Sequence, residues 1–209
     1  DRYPKRENIN IGEVSLEVEN WNVYHPLFTE RKVVDDVSIN VRRGEVVGIS
    51  GLMGAGRTEL AMSIFGKSYG SKISGVLKIN GKEVALNTPK QAIENKLAYI
   101  TEDRKGNGLI LSNPIRTNTT MAKLDKVSHR QIIDMDMEIN VAKEYKEKLN
   151  TRCASIEQHV GTLSGGNQQK VLLSKWMFAD PDIMILDEPT RGIDVGAKYE
   201  IYCIINDLV

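Results

Sequence analysis

Cysteine occurs only twice in the 209 residues, at Cys153 and Cys203. Two are too few for a disulfide framework, and this usage fits a reducing compartment. No stretch approaches the roughly 18 consecutive apolar residues that a membrane-spanning helix needs. No secretory leader pattern is visible either, so any role at a membrane has to run through a partner. Neither sign of charge is in excess. The 28 Lys plus Arg balance 28 Asp plus Glu, which removes the basic stripe expected of a nucleic-acid surface. Histidine is scarce, and His129 and His159 stand apart, without metal-ligand spacing. What remains is 41% hydrophobic and 27% charged residues, enough for a sizeable buried core. The length suits one large domain or a core with inserted subdomains.

The charged opening segment, residues 1–12, reads as a linker. Residues 14–20 alternate with Val14, Leu16 and Val18 inward, and Val37, Ile39 and Val41 alternate in the same way, which predicts two half-buried strands. Residues 45–50, with Val46, Val47 and Ile49, predict a short buried strand. A glycine-rich loop and a helix over 58–65 follow it. Asn80-Gly81 inside residues 76–84 is a type I′ hairpin signal. Thr88-Pro89 is a helix start with a threonine cap, and 97–100 reads as a core strand. Residues 103–118 are loop-rich, 119–149 helical, and 166–178 an amphipathic helix; 183–186 form a buried strand. A final run carries Ile201, Ile204, Ile205 and Leu208 at helical spacing. The start at Asp1 and the stop inside that run lead us to expect a piece of a longer protein.

Three segments carry phosphate chemistry. The first, Gly51-Leu52-Met53-Gly54-Ala55-Gly56-Arg57-Thr58, fits the P-loop template between a predicted strand and a predicted helix, with arginine in place of lysine. Glycines let the backbone wrap phosphate oxygens without a Cβ clash, and the Thr58 hydroxyl can ligate Mg²⁺. Arginine is a wide planar fork where lysine is a compact ammonium, so the expectation is binding with altered phosphate geometry and either slow turnover or none. The second, Ile183 to Leu186 followed by Asp187-Glu188, places two carboxylates at a strand end. Asp187 suits Mg²⁺, through water, and Glu188 suits orienting or deprotonating an attacking water. The third, Leu163-Ser164-Gly165-Gly166-Asn167-Gln168, puts a hydroxyl and two glycines at a helix start, an anion-binding arrangement. Taken singly, these are also compatible with a glycine turn, a capped strand end and an ordinary N-cap.

In this order they resemble the nucleotide-binding domain of ATP-binding cassette (ABC) proteins, over residues 14–208. The resemblance implies an α/β P-loop NTPase fold. It has a RecA-like parallel core sheet, an antiparallel β subdomain and an inserted α-helical subdomain at about 103–165, all within a nucleotide-binding domain spanning 13–209. The cofactors implied are ATP and Mg²⁺. Nucleotide is expected at Gly51, Gly54, Ala55, Gly56, Arg57, Thr58 and Glu59, and the metal at Thr58, Asp187 and Glu102. Glu102 stands where the family carries a glutamine. Ser164, Gly165, Gly166 and Gln168 form the signature, which closes over ATP held by a facing cassette. Residues 191–194 resemble the loop that crosses the dimer interface. The family stacks adenine on an aromatic after the first strand; Tyr24 is the candidate, with Trp21 and His25 nearby. The family's switch histidine is expected beyond Val209.

The wording of Gly54 to Glu59, Glu102 to Lys105, Ser164 to Lys170 and Thr190 to Gly196 is similar to the second cassette of bacterial monosaccharide importers, in which two cassettes are fused. That implies an ATPase coupled to sugar import, peripheral on the cytoplasmic face of the bacterial plasma membrane. Its implied partners are a second cassette, transmembrane permease subunits and, indirectly, a sugar-binding protein. No nucleic acid is expected. The groove for the permease is expected near residues 102–111 and the helical insert. Two alternatives stay open: a nucleotide-binding cassette that does not hydrolyse, and a soluble ABC ATPase of DNA repair or translation.

Overall fold

The computed structural model describes residues 3–6 and 9–209. The chain divides into two compact units, Lys5–Tyr99 with Asp182–Asp187, and Ile100–Pro181 with Glu188–Leu208. The expected linker has no helix or strand at its described positions; Asp1, Arg2, Glu7 and Asn8 lie outside the described residues. Both cysteines are free thiols.

The first unit holds an antiparallel sheet in the order β2-β1-β3-β4. Its strands are β1 (Val14–Tyr24), β2 (Lys32–Arg42), β3 (Ser71–Ile79) and β4 (Lys82–Glu83). Val18 at the centre faces Ile39 on one side and Leu77 on the other. The first strand outruns its expected end at residue 20 because of a bulge. Leu16 and Val18 are buried, and so are Trp21 and Val23, which simple alternation would turn outward. Asn20, at φ 49°, absorbs the extra residue, and the register shifts between Val18 and Trp21. Opposite the bulge, Gly75 has φ 117°, and a Cβ there would lie 2.7 Å from Glu19 O and 2.8 Å from Asn20 O. The hairpin joining β3 and β4 turns at Asn80 (φ 51°) and Gly81 (φ 74°), the pair of positive values that a type I′ turn requires.

Helix α1 (Arg57–Ile64) is pinned to this sheet by the Trp21 indole N–H, which donates to Ser63 Oγ at 2.9 Å. Thr88 Oγ1 accepts from Gln91 N–H and starts α2 (Pro89–Glu94) with proline in its first turn. Strand β5 (Leu97–Ile100) is buried throughout and pairs with β8 (Ile183–Leu186). The N–H groups of Asp182 and Ile183 both donate to Lys96 O. The Tyr99 hydroxyl meets Asp187 beyond the other end of β8. The two strands therefore run the same way.

One expected core strand is absent. Residues 45–50 belong to no strand, and Val46, Val47 and Ile49 are 53%, 40% and 50% exposed. Their apolar run is that of a strand buried on both faces, but a strand exists only where a neighbour completes its ladder. Among the described residues β5 and β8 pair only with each other, and nothing pairs with this run.

The second unit is helical. It contains a π turn (Arg104–Gly108), α3 (Ile115–Thr120), a 3₁₀ stretch (Met121–Val127), α4 (Met135–Lys148), α5 (Gly165–Phe178) and α6 (Val195–Asp207). The continuous helical reading of 119–149 is corrected. A two-stranded hairpin, β6 (Ser128–His129) and β7 (Ile132–Ile133), interrupts it. Arg130 and Gln131 turn there at φ 50° and 68°, a left-handed pair that no helix holds. Asp134 then caps α4, its carboxylate accepting from the N–H groups of Asp136 and Met137. Arg116 on α3 donates to Glu138 on α4 and, from Nε, to Glu157 at 2.8 Å. Glu138 also accepts from the Thr120 hydroxyl, so this buried carboxylate is fully engaged.

Helix α5 is buried on nearly every side, polar residues included. Lys170 donates to Asn150 O at 2.9 Å and pairs with Glu200 on α6. Lys175 donates to Gly108 O at 2.7 Å, and its Nζ lies 4.8 Å from the centre of the Trp176 ring. Burial penalises the Lys175 ammonium and lowers its pKa to about 8.

Two outcomes follow from this packing. The unfolded chain keeps the Lys175 proton up to the ordinary lysine range, while the folded chain gives it up near 8. The unfolded state thus binds more protons above pH 8, and stability rises with pH there. The stability difference between wild type and Lys175→Met, read from urea midpoints, is expected to grow by about 1–2 kcal/mol from pH ~7.5 to ~9.5. A pH-independent difference contradicts this. Gly75→Ala forces a Cβ into the bulge carbonyls and is expected to destabilise the fold by about 1–3 kcal/mol in the same assay.

Candidate functional site

Two glycine-rich helix starts, one in each unit, carry the candidate chemistry. In the first unit, Gly56 is the N-cap of α1 at φ 85°, and a Cβ there would sit 2.3 Å from Val33 O. Glycine is therefore required twice over, by conformation and by space. Gly54 is also left-handed, at φ 81°, with open space around it. Gly51 lies against the Ala55 methyl. The Ala55 N–H donates to Leu52 O, which turns the loop tightly. Leu52 and Met53 stand 86% and 95% exposed at its tip. Arg57, Thr58 and Glu59 form the first turn of α1 and are half-buried. The first amides of a helix have no intrahelical acceptor, and the dipole favours an anion there.

Asp187 follows β8 in the same unit. It is 9% exposed, and its Oδ2 accepts from the Tyr99 hydroxyl at 3.1 Å. That single neutral donor fixes the carboxylate and leaves acceptor capacity on both oxygens. Glu188, next in sequence, belongs to the second unit and has φ 45°. A left-handed glutamate is costly backbone, of the kind that clusters at functional positions.

The three aromatic candidates separate clearly. Trp21 is core, with its N–H spent on Ser63. His25 closes a turn, its Nδ1 accepting from the N–H groups of Leu27 and Phe28 at 3.1 Å each. Tyr24 is half-buried, and Lys32 and Lys72 hold their ammonium groups 5.7 and 5.6 Å from its ring centre. A ring flanked by cations presents a π face beside positive charge, which suits a base attached to phosphates.

In the second unit, Ser164 caps α5. Its Oγ accepts from Asn167 Nδ2 at 2.9 Å, and more loosely from Asn167 N–H, while Asn167 Oδ1 accepts from Arg152 N–H. Ser164 is exposed, so the cap faces outward. The signature glycines are packing requirements. A Cβ on Gly166 would lie 2.6 Å from the Ala197 Cβ, and one on Gly165 would lie 3.1 Å from Gly192 O. Gln168 differs from its expected place among ligand contacts. It is 4% exposed and faces inward, donating to Val160 O and Leu163 O and accepting from Arg104 Nε. It supports the signature from beneath.

Glu102, the expected metal ligand, is committed elsewhere: its Oε2 accepts from Arg191 Nη1 at 2.6 Å. An open cleft of ≈ 370 Å³ lies at this pair, lined by Glu102, Asp103, Arg104, Lys105, Arg191 and Gly192. Asp103 turns away to accept from Gly106 N–H. Asp194 caps α6, and the N–H of Ala197 on its carboxylate holds its pKa below the usual range. His129 is exposed, and no cluster of three His, Cys, Asp or Glu suited to a metal occurs among the described residues. Sequence reasoning quoted Arg104 and Lys170 only as part of a motif. Nothing in their spacing says that they bind carbonyls across the unit.

Residues 34–191 match the family profile of ABC transporters. The whole chain is 58% identical to the L-arabinose transport ATP-binding protein AraG of Geobacillus stearothermophilus, and covers 40% of that protein. It is 48% identical to the xylose import ATP-binding protein XylG of Thermoanaerobacter pseudethanolicus, again over the whole chain and 41% of the relative. The ribose import ATP-binding protein RbsA of Bacillus cereus is 44% identical over the whole chain and 40% of its own length. The chain thus spans about two fifths of the length of these curated relatives. In fold it is similar to a nucleotide-free ATP-binding cassette from an ABC transporter, with TM-score 0.77 and 21% identity, covering 93% of this chain and 77% of that one. The ADP conformation of the cassette MJ1267 gives TM-score 0.76 and 22% identity, covering 94% and 77%. By the profile match across most of its length, the chain belongs to the ABC transporter family.

Proposed function

We propose that this chain is an ATP-binding and hydrolysing cassette that powers import of a monosaccharide, working opposite a second cassette and beneath transmembrane permease subunits. The relatives named for L-arabinose, xylose and ribose support the substrate class. No helix is long and apolar enough to cross a membrane among the described residues. That agrees with a peripheral place on the cytoplasmic face, where a sugar-binding protein reaches it only through the permease. The domain reading stands as part of this proposal: a nucleotide-binding domain over 13–209 with a helical insert at about 103–165.

In this reading the amides of Gly51 to Thr58 bind the β- and γ-phosphates and Tyr24 stacks the adenine. Mg²⁺ fits the oxygen donors present. Asp187 is a buried carboxylate with one neutral partner, Thr58 offers a hydroxyl, and both lie in the first unit. The ion, when bound, neutralises phosphate charge. Glu102 fits that role less well, because Arg191 already holds it. Glu188 orients the attacking water and takes its proton. Ser164, Gly165 and Gly166 receive the γ-phosphate bound by the facing cassette. ATP then favours the closed pair, because only that state makes both sets of contacts.

The single observation that carries the proposal is the exposed Ser164 at the Gly165–Gly166 helix start, in a chain that also owns a P-loop helix whose cap must be glycine. The second reading, a cassette that binds nucleotide without hydrolysing it, is favoured by Arg57 and by the Glu102–Arg191 pair. Both readings predict asymmetry: the stronger hydrolysis occurs at the partner's P-loop, closed by this signature. In the full transporter, Ser164→Arg is expected to lower ATPase activity by on the order of 10²-fold or more. Arg57→Ala is expected to lower it less. A larger loss from Arg57→Ala overturns the asymmetry.

A further inference from the structure

Arg104 is the residue on which three segments of the second unit converge. Its Nε donates to Gln168 Oε1 at 3.3 Å, its Nη1 to Arg191 O at 2.8 Å and its Nη2 to Gly192 O at 3.3 Å. All three acceptors are neutral. The guanidinium is therefore held by geometry rather than by a counter-charge. Burial pulls its pKa below the ordinary arginine value.

Two glycines border Arg104, and only Gly165 is close enough for a Cβ to crowd it. A Cβ on Gly165 would meet Arg104 Nη2 at 2.9 Å, and one on Gly192 would meet both Nη atoms at 3.8 Å. Gly192 also needs glycine for its φ of 66°. The link is reciprocal. Arg104 reaches from the 102–105 segment to the 191–192 turn, and Arg191 reaches back to Glu102. Through Gln168, which also holds Val160 O and Leu163 O, the same fork supports the segment that leads into Ser164.

We propose that Arg104 is a positioning residue that locks the Gly165–Gly166 start of α5 to the 191–192 turn, so that the amide cradle and the turn move as one body. It rests on the reading that this helix start receives the phosphate of a facing cassette. The fork is the reason for arginine. A planar guanidinium reaches an amide oxygen from one edge and two carbonyls from the other, whereas an ammonium on a flexible stem cannot fix three acceptors in one orientation. Loss of Arg104 is expected to misplace the cradle, and no residue of this chain's own P-loop is among its three acceptors.

The test uses the full-length protein assembled with its permease, with Arg104→Ala, Arg104→Lys and Ser164→Arg compared to wild type. kcat and KM for ATP, MgADP affinity by calorimetry, and thermal midpoint are measured for each. Arg104→Ala and Arg104→Lys are each expected to lower kcat by about 10- to 100-fold, the scale of a displaced reacting group. MgADP affinity is expected to stay within about twofold, with the thermal midpoint unchanged. Wild-type kcat in both Arg104 variants overturns the inference. So does full rescue by lysine, which would assign the effect to charge, and so does a kcat loss that comes with a parallel loss of MgADP binding and a lowered midpoint. If Ser164→Arg also leaves kcat intact, the phosphate-receiving reading itself fails. If Ser164→Arg lowers kcat and the Arg104 variants do not, only the positioning role fails.

Discussion

The requirement that peptide N–H groups be laid bare at a helix start governs this molecule. A helix begins with amides that have no partner inside it, and a side chain at the wrong place would cover or displace them. At α1 the cap residue Gly56 has no room for a Cβ against Val33 O. At α5 Gly166 has none against the Ala197 Cβ, and Gly165 is tight against Gly192 O. At α1 a backbone carbonyl enforces the glycine, and at α5 the Ala197 methyl does so at Gly166. The shape of both helix starts is thereby set by folding, and the proposed anion binding would use a form already built.

That arrangement needs support from below, and the second unit supplies it with buried polar side chains. Gln168, Lys170 and Lys175 all lie on α5 and spend their donors on Val160 O and Leu163 O, on Asn150 O, and on Gly108 O respectively. Each acceptor is a carbonyl at a turn or helix end, where no ladder satisfies it. Val160 O also accepts from Leu163 N–H. A purely apolar helix would bury more hydrocarbon, but it would take these donors from Leu163 O, Asn150 O and Gly108 O, and a buried carbonyl left unpaired costs about 1–3 kcal/mol. Such bonds also fix the rotation of α5 about its axis, because each works at one orientation only.

Sequence reading reached the local devices and missed the long-range ones. The Asn80-Gly81 turn, the Thr88 cap and the Ser164 cap were legible because each depends on residues a few positions apart. The bulge at Asn20 was not, since its partner Gly75 is far along the chain and only the pairing reveals it. The hairpin inside 119–149 was missed because its strands are two residues each and Ile132 and Ile133 are exposed, so no alternating pattern marks them. The run 46–50 has a strand's composition without a strand's neighbours. At the candidate site, the glycines and carboxylates followed from spacing. That Glu102 pairs with Arg191, and that Gln168 faces inward, depends on tertiary packing alone.

The bare run at Val46, Val47 and Ile49 has a practical consequence. Extended, apolar and without a backbone partner, it is a template on which another chain's strand can grow. In concentrated samples such an edge gives these chains a route to pair with one another. Dimers seen in such samples therefore need to be sorted, by their sensitivity to a charge placed at position 47, from those brought about by nucleotide.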